Sequence, residues 1–239
     1  VLSLGEAFLE ARQKLVLWDV DGTLLTTDGI AGDAMRAAMG TIFRPTEQKE
    51  RTFYSGKTDS QIIRDTYPDI GYETIFERMD DFRAAYLKEM DSMRSELVKR
   101  TSAFPGIVET VSRLNGQVLQ APLTGNVAPV ARLKLDILGL LAYIDADIGA
   151  YGDDHYERHR LVSIAAERAN KHYNHTFSGQ DIVVIGDTPK DIECGRMNHT
   201  RVVVVATGPY SVDQLQLHNP DAVLEDLSDV DAAIAAILG

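Results

Sequence analysis

Leu15-Val16-Leu17-Trp18-Asp19-Val20-Asp21-Gly22-Thr23-Leu24 is the stretch on which the reading of the fold depends. Four apolar residues run without a polar break, as in a strand covered on both faces, and then meet two aspartates and a Gly-Thr turn. In open α/β sheets, ligands gather beyond the carboxyl ends of the strands, so acids placed there are well sited for chemistry. Residues two apart on a strand share a face, so Asp19 and Asp21 point toward one site unless the chain turns between them. Two anions that close repel, and a divalent cation or a shared proton relieves the repulsion. The plainer alternative is a strand followed by an Asp-Gly turn with solvated carboxylates. The length of the whole string favours function.

Working outward, apolar strand-like runs recur at Val118–Leu123, Asp181–Ile185 and Arg201–Val205, with shorter candidates at Ile148–Ala150 and Ala222–Leu224. Amphipathic, helix-like segments lie between them: Ile107–Leu114, Pro129–Leu138, Leu161–Lys171, Asp191–Met197 and Asp229–Leu238. The alternation predicts an α/β domain with a Rossmann-like parallel sheet. Residues 30–102 break the pattern. They lack a parallel strand and are dense in helical spacing, notably at Ser60–Tyr67 and from Tyr72 to about Lys99. Phe82, Tyr86 and Met90 recur one helical turn apart and read as core packing. A helical module of residues 30–102 thus interrupts a core made of residues 1–29 and 103–239.

Three further places carry candidate chemistry. Leu123-Thr124-Gly125-Asn126 follows a strand, where a threonine hydroxyl and backbone N–H groups can donate to phosphoryl oxygens, although the same letters serve as ordinary turn chemistry. Tyr151–Arg160 leads into a helix, and Arg158 and Arg160 sit where the helix dipole does not favour a cation, a hint that one of them serves an anion. His155 and His159, four apart beside Asp153 and Asp154, offer a competing zinc reading, but the segment looks like a solvated loop. Finally, Ile182-Val-Val-Ile-Gly-Asp-Thr-Pro-Lys-Asp-Ile192 is a second strand running into acid, at Asp187 and then Asp191. Oxygen ligands at a strand end suit Mg²⁺. A capped helix start at Asp187 or Thr188 is the alternative.

Composition narrows the partners. The net charge of -12 argues against nucleic acid or an anionic membrane surface, which need clustered Lys and Arg. No stretch approaches the roughly 20 apolar residues needed to span a bilayer. Val1–Glu10 carries two glutamates and no basic n-region, so it reads as a short lead-in helix or a trimmed start rather than a signal peptide. The single Cys194 excludes an internal disulfide, suits a reducing cytoplasm, and reads as a buried structural thiol.

Taken in order, the four segments resemble the haloacid dehalogenase (HAD) superfamily, whose pattern is DxDGT, a Ser or Thr after a strand, a Lys or Arg before a helix, and GDxxxD. Here these are Asp19–Thr23, Thr124–Asn126, Arg158 and Gly186–Asp191. The resemblance implies that Asp19 is a nucleophile forming an aspartyl-phosphate, and that Asp21 protonates the leaving alkoxide and later activates water. It implies that Thr124 and Arg158 hold phosphoryl oxygens, with Gly125 and Asn126 beside them. It implies Mg²⁺ on Asp19, the main-chain carbonyl of Asp21, and Asp187, with Asp191 in support. Arginine stands where the family usually has lysine; Arg158 fits the following helix pattern better than Arg160 does. Residues 30–102 sit where the family places its type 1 cap, as in phosphoglycolate phosphatase-like members. Within that cap Gly56 and Lys57 resemble a substrate-facing loop, Lys57 being the candidate contact to the leaving group or else a solvated lysine.

The expected activity is therefore Mg²⁺-dependent hydrolysis of a small phosphorylated metabolite. Asp21 argues against dehalogenation and phosphonate cleavage. A β-phosphoglucomutase-like sugar phosphomutase uses the same aspartates and is the enzymatic alternative; a phosphate-binding regulatory module without turnover is the other. Neither the particular ester nor the oligomeric state is legible in the sequence.

Overall fold

Five apolar runs lie side by side as one parallel sheet in the computed structural model, which describes residues 14–44 and 54–239. In chain order the elements are β1 (Leu15–Trp18) and β2 (Leu25–Thr26), then α1 (Ile30–Phe43), α2 (Asp59–Thr66), α3 (Tyr72–Glu77), α4 (Met79–Ser92) and α5 (Arg94–Arg100). Next come β3 (Ser102–Ala103), α6 (Ile107–Leu114), β4 (Leu119–Pro122) and α7 (Ala128–Ile137). The chain continues through α8 (Arg160–Tyr173), β5 (Ile182–Gly186), α9 (Pro189–Met197) and β6 (Arg201–Val205). It finishes with α10 (Val212–Gln216), β7 (Ala222–Leu224) and α11 (Val230–Leu238). The lead-in segment 1–10 lies outside the described residues.

The sheet order is β4-β1-β5-β6-β7, every pairing parallel. Helices cover both faces, which is why the strand letters are apolar without alternation. Val16 and Trp18 of β1 pack with Val183 and Ile185 into the layer under α6 and α11. Leu15 and Leu17 pack with Leu119, Ile182 and Val184 into the opposite layer, against Leu161, Val162 and Ala165 of α8. Cys194 is buried in that second layer, and burial pushes its thiol up to about 12, so it is inert packing.

The insert from α1 to α5 has its own core. Ile75 of α3, Phe82, Tyr86 and Met90 of α4, and Leu97 of α5 meet Met35 and Met39 of α1 there. Val127 and Val130, at the start of α7, belong to the same cluster, so the insert's core runs on into the main domain. The chain enters and leaves the insert through an antiparallel pair, with Leu25 opposite Ala103 and Thr26 opposite Ser102.

One expectation is refined and one corrected. The helical patterning from Tyr72 to about Lys99 is divided among three helices, with breaks at Arg78 and Met93, and each of the three contributes to the shared core. Ile148–Ala150 is not a strand; it makes a single bridge, Ala150 to Leu123, just beyond the end of β4. No helix among the described residues is long and apolar enough to cross a membrane.

Candidate active site

Because β1 lies between β4 and β5, the residues that follow these three strands converge. Asp19 follows β1 and its N–H donates to Ile185 O at 2.8 Å; Thr124 lies two residues past β4, its N–H donating to Ala150 O at 3.1 Å; Asp187 follows β5. Arg158 reaches them from the segment before α8. Its Nη2 lies 2.9 Å from Asp19 Oδ1 and 2.7 Å from Asp191 Oδ1, and its Nε donates to Asp191 Oδ1 at 3.0 Å. Arg160 points away, 61% exposed and 3.8 Å from Glu157. Of the two arginines, the structure brings only Arg158 to the strand ends.

The electrostatics are those of too many buried acids. Burial pushes Asp19 up to about 6 despite Arg158, with Asp191 pushing the same way. Asp187 is pushed up to about 8, by burial and then by Asp19 and Asp191. Burial works against the Arg158 charge, yet Asp19 and Asp191 outweigh it and hold the guanidinium above its ordinary value. One arginine among three carboxylates leaves negative charge uncompensated.

Oxygens of Asp19, Asp187 and Asp191 lie within 4.8 Å of one another. Thr23 Oγ1 donates to Asp187 Oδ1 at 3.0 Å, but Asp187 Oδ2 is buried and accepts no hydrogen bond from the described residues. It sits in a cradle: a Cβ at Gly22 would come within 2.5 Å of it, and one at Gly208 within 1.8 Å. An orphaned carboxylate oxygen amid like charges fits a hard divalent cation. Asp191 stands differently. Its Oδ2 accepts from Thr188 N and Oγ1 at 3.0 and 2.7 Å, capping α9, while Oδ1 serves Arg158. Both of its oxygens are engaged, so its support for a cation runs through Arg158 and the helix start.

The chain does turn between the first two aspartates: Leu24 and Leu25 both donate to Val20 O, and Gly22 has φ 87°. Asp21 therefore takes a different cation. Lys134 Nζ lies 2.5 Å from Asp21 Oδ2 and 2.6 Å from Asn126 Oδ1. Sequence reasoning missed this lysine. The signal was its place on the stripe Val130, Ala131, Lys134, Leu135, the buried face of α7. Asp59, at the start of α2, was missed as well. Its carboxylate accepts from Val127 N at 2.8 Å, and burial pushes it up to about 7 against the pull of that N–H and of Lys134.

The insert closes over this arrangement along a polar seam. Asp59 N donates to Gly125 O at 2.7 Å, Thr58 Oγ1 to Tyr156 O at 2.9 Å, and Ser60 Oγ to Gly152 O at 3.1 Å. Arg83 Nε lies 2.5 Å from Asp153 Oδ2, and the rings of Tyr72 and Tyr156 stack with centroids 4.0 Å apart. Beneath the seam is a cavity of about 280 Å³, floored by Asp19, Asp21 and Thr124 and roofed by Met35, Tyr54 and Tyr86. Gly56 and Lys57 line it too, Lys57 Nζ being held 2.8 Å from Asp65. A Cβ at Gly125 would come within 2.0 Å of Lys57 O. Gly125→Ala is therefore expected to wedge the insert from the core, lowering kcat/KM about a hundredfold by misplacing substrate, with a lower Tm. Steady-state kinetics and a melt check it.

The zinc reading is not supported by the loop. Asp153 and Asp154 are committed to Arg83 and Arg168, and His155 Nδ1 accepts from Glu157 N at 2.9 Å. Among the described residues the three-acid cluster that can hold a metal is the one at the strand ends.

The geometry agrees with what the chain resembles. It is 26% identical over 235 residues to the "Probable phosphatase IndB" of Dickeya dadantii, covering 95% of each chain. It is 23% identical to the pyrophosphatase PpaX of Oceanobacillus iheyensis, covering 91% of this chain and 94% of that one. Its fold matches the crystal structure of a "predicted phosphatase" from Clostridium acetobutylicum with a TM-score of 0.67 at 19% identity, over 93% of this chain and 98% of the other. The pattern of the haloacid dehalogenase-like hydrolases matches residues 16–205, from β1 to the end of β6, so the chain belongs to that family.

Proposed function

We propose that the chain is a Mg²⁺-dependent phosphatase that hydrolyses small phosphate monoesters through a phosphorylated Asp19. The observation that carries this reading is the pairing of Asp19 with Arg158 at the floor of a cavity between core and insert, while Asp21 is held separately by Lys134. Nucleophile and acid/base are thus kept apart although only Val20 separates them.

In the first half-reaction an Asp19 oxygen bonds to phosphorus as the ester P–O bond breaks, and Asp21 gives its proton to the leaving alkoxide. Arg158, the Thr124 hydroxyl and the Gly125 N–H take the phosphoryl oxygens and fix them for in-line attack. In the second half-reaction Asp21 takes a proton from water as the water oxygen attacks phosphorus and Asp19 is released. Asp19, Asp187 and the main-chain carbonyl of Asp21 would hold Mg²⁺, which would supply the charge neutralisation that lets an anionic carboxylate approach an anionic phosphate. Asp191 steadies Arg158.

A cavity of this volume suits a small metabolite, and the net charge of -12 argues against nucleic acid and membrane partners. The buried, unreactive Cys194 suits a reducing cytoplasm. Curated relatives named as phosphatases support hydrolysis, and a phosphomutase is not favoured. Phosphate release from a panel of monoesters, with Mg²⁺ and with EDTA, tests the reading. Metal-dependent release from small esters is expected. Absence of release from every ester, with hexose phosphates interconverted instead, would overturn it.

A further inference from the structure

Two lysines line the cavity without a part in the reaction outlined above: Lys57, which pairs with Asp65, and Lys134, which is buried. Lys134 is 1% exposed on a helix whose neighbouring buried positions are Val130, Ala131 and Leu135, where an apolar residue would pack without burying a charge. Its ammonium instead holds two groups from different elements. One is Asp21 Oδ2, on the turn after β1, at 2.5 Å; the other is Asn126 Oδ1, in the Thr-Gly-Asn turn after β4, at 2.6 Å. Asp21 is 41% exposed and sits on a turn, so little else restrains its side chain. Asp59, from the insert, feels the same charge.

We propose that Lys134 is the positioning residue for Asp21, locking its carboxyl group beside the cavity and in register with the phosphate-binding turn. Lys134 occupies Oδ2 and leaves Oδ1 to exchange the proton. When the ester P–O bond breaks, that proton passes from Oδ1 to the leaving oxygen; when water attacks the aspartyl-phosphate, Oδ1 takes the proton back. Lys134 contributes no proton and no bond to phosphorus. Its effect therefore scales with how much the leaving group needs protonation. This rests on Asp21 being the general acid, as read above.

The test compares kcat/KM for an alkyl phosphate, whose alkoxide leaves poorly unless protonated, with p-nitrophenyl phosphate, whose phenolate leaves without help. Lys134→Met is expected to lower the alkyl ester about a hundredfold and the nitrophenyl ester less than about fivefold. Lys134→Arg should recover part of the alkyl rate. Adding Lys134→Met to Asp21→Asn should cost nothing further on the alkyl ester, since positioning a lost acid has no value. If Lys134→Met fails to fold, Lys134→Gln carries the same comparison. Equal losses on both esters would mean that Lys134 serves the phosphoryl group or the fold, and no loss on either would mean that it serves neither; both results overturn the proposal. Asp21→Asn alone is the control for the underlying reading. If that variant shows no leaving-group dependence, the general-acid assignment fails first and takes the role of Lys134 with it.

Discussion

Asp19→Asn loses at least about a thousandfold in turnover while keeping its fold. An amide oxygen accepts from Arg158 as a carboxylate does, but it does not form an aspartyl-phosphate. Nor does the substitution leave Arg158 stranded, because Asp191 Oδ1 remains 2.7 Å away. The stability effect follows from the sign of the shift. Burial raises Asp19 from 3.8 to about 6, so in that interval the folded chain binds the proton more readily than the unfolded one. Stability from this group is therefore lost as pH rises through the interval, and above about 6 the penalty is fully expressed. In EDTA at pH 8 the variant should melt no lower than the native chain. Acid quenching during turnover should trap a hydroxylamine-sensitive phosphoenzyme in the native protein and none in the variant. Native-rate turnover by Asp19→Asn would sink the nucleophile assignment.

Mg²⁺ should stabilise the native chain strongly at pH 8, weakly at pH 5.5, and Asp187→Asn hardly at all. At one hundred times Kd a ligand specific for the folded state stabilises by about 2.7 kcal/mol, which for a chain of this length raises Tm by roughly 5–10 °C. Asp187 is raised to about 8 and Asp19 to about 6, so protons compete with the cation across that window. As pH rises through it the metal-free fold loses stability, because it gives up protons that it holds more tightly than the unfolded chain does. Metal restores that loss, and the difference between Mg²⁺ and EDTA melts widens with pH. Asparagine keeps an oxygen for Thr23 and should preserve the fold while removing the orphaned anionic oxygen. An undiminished Mg²⁺ shift in Asp187→Asn would mean that the cation binds elsewhere.

Much of the architecture was legible because it came from strong, local physics. β1, β5 and β6 are apolar without alternation since both faces are covered, and acids at the end of such runs stand out. The β2–β3 pair was not legible: two residues on each strand carry no period, and their partners lie far apart in sequence. Whether Arg158 or Arg160 reaches the strand ends is a matter of which side of the entry to α8 each occupies, a difference that only the buried carboxylates reveal. Lys134 hid for the opposite reason from Asp19. A lysine in a helix is ordinary, and its burial becomes visible only once Asp21 and Asn126 are found opposite it. Asp59 is by position an ordinary first-turn acid, which gives the sequence no reason to single it out.

The hydrophobic cluster that joins Phe82 and Met90 to Val127 and Val130 bears on how such enzymes are recombined. A lid with a self-contained core can be exchanged between scaffolds by cutting at its two connecting strands. This one shares its oil with the scaffold's own helix α7, whose Val130, with Val127 just before it, is half of the join. A chimera cut at Thr26 and Ser102 would leave Val127 and Val130 bare on one parent and a matching hollow on the other. The transplantable unit is the insert together with α7, which also carries Lys134 and so takes the acid/base support along with the lid.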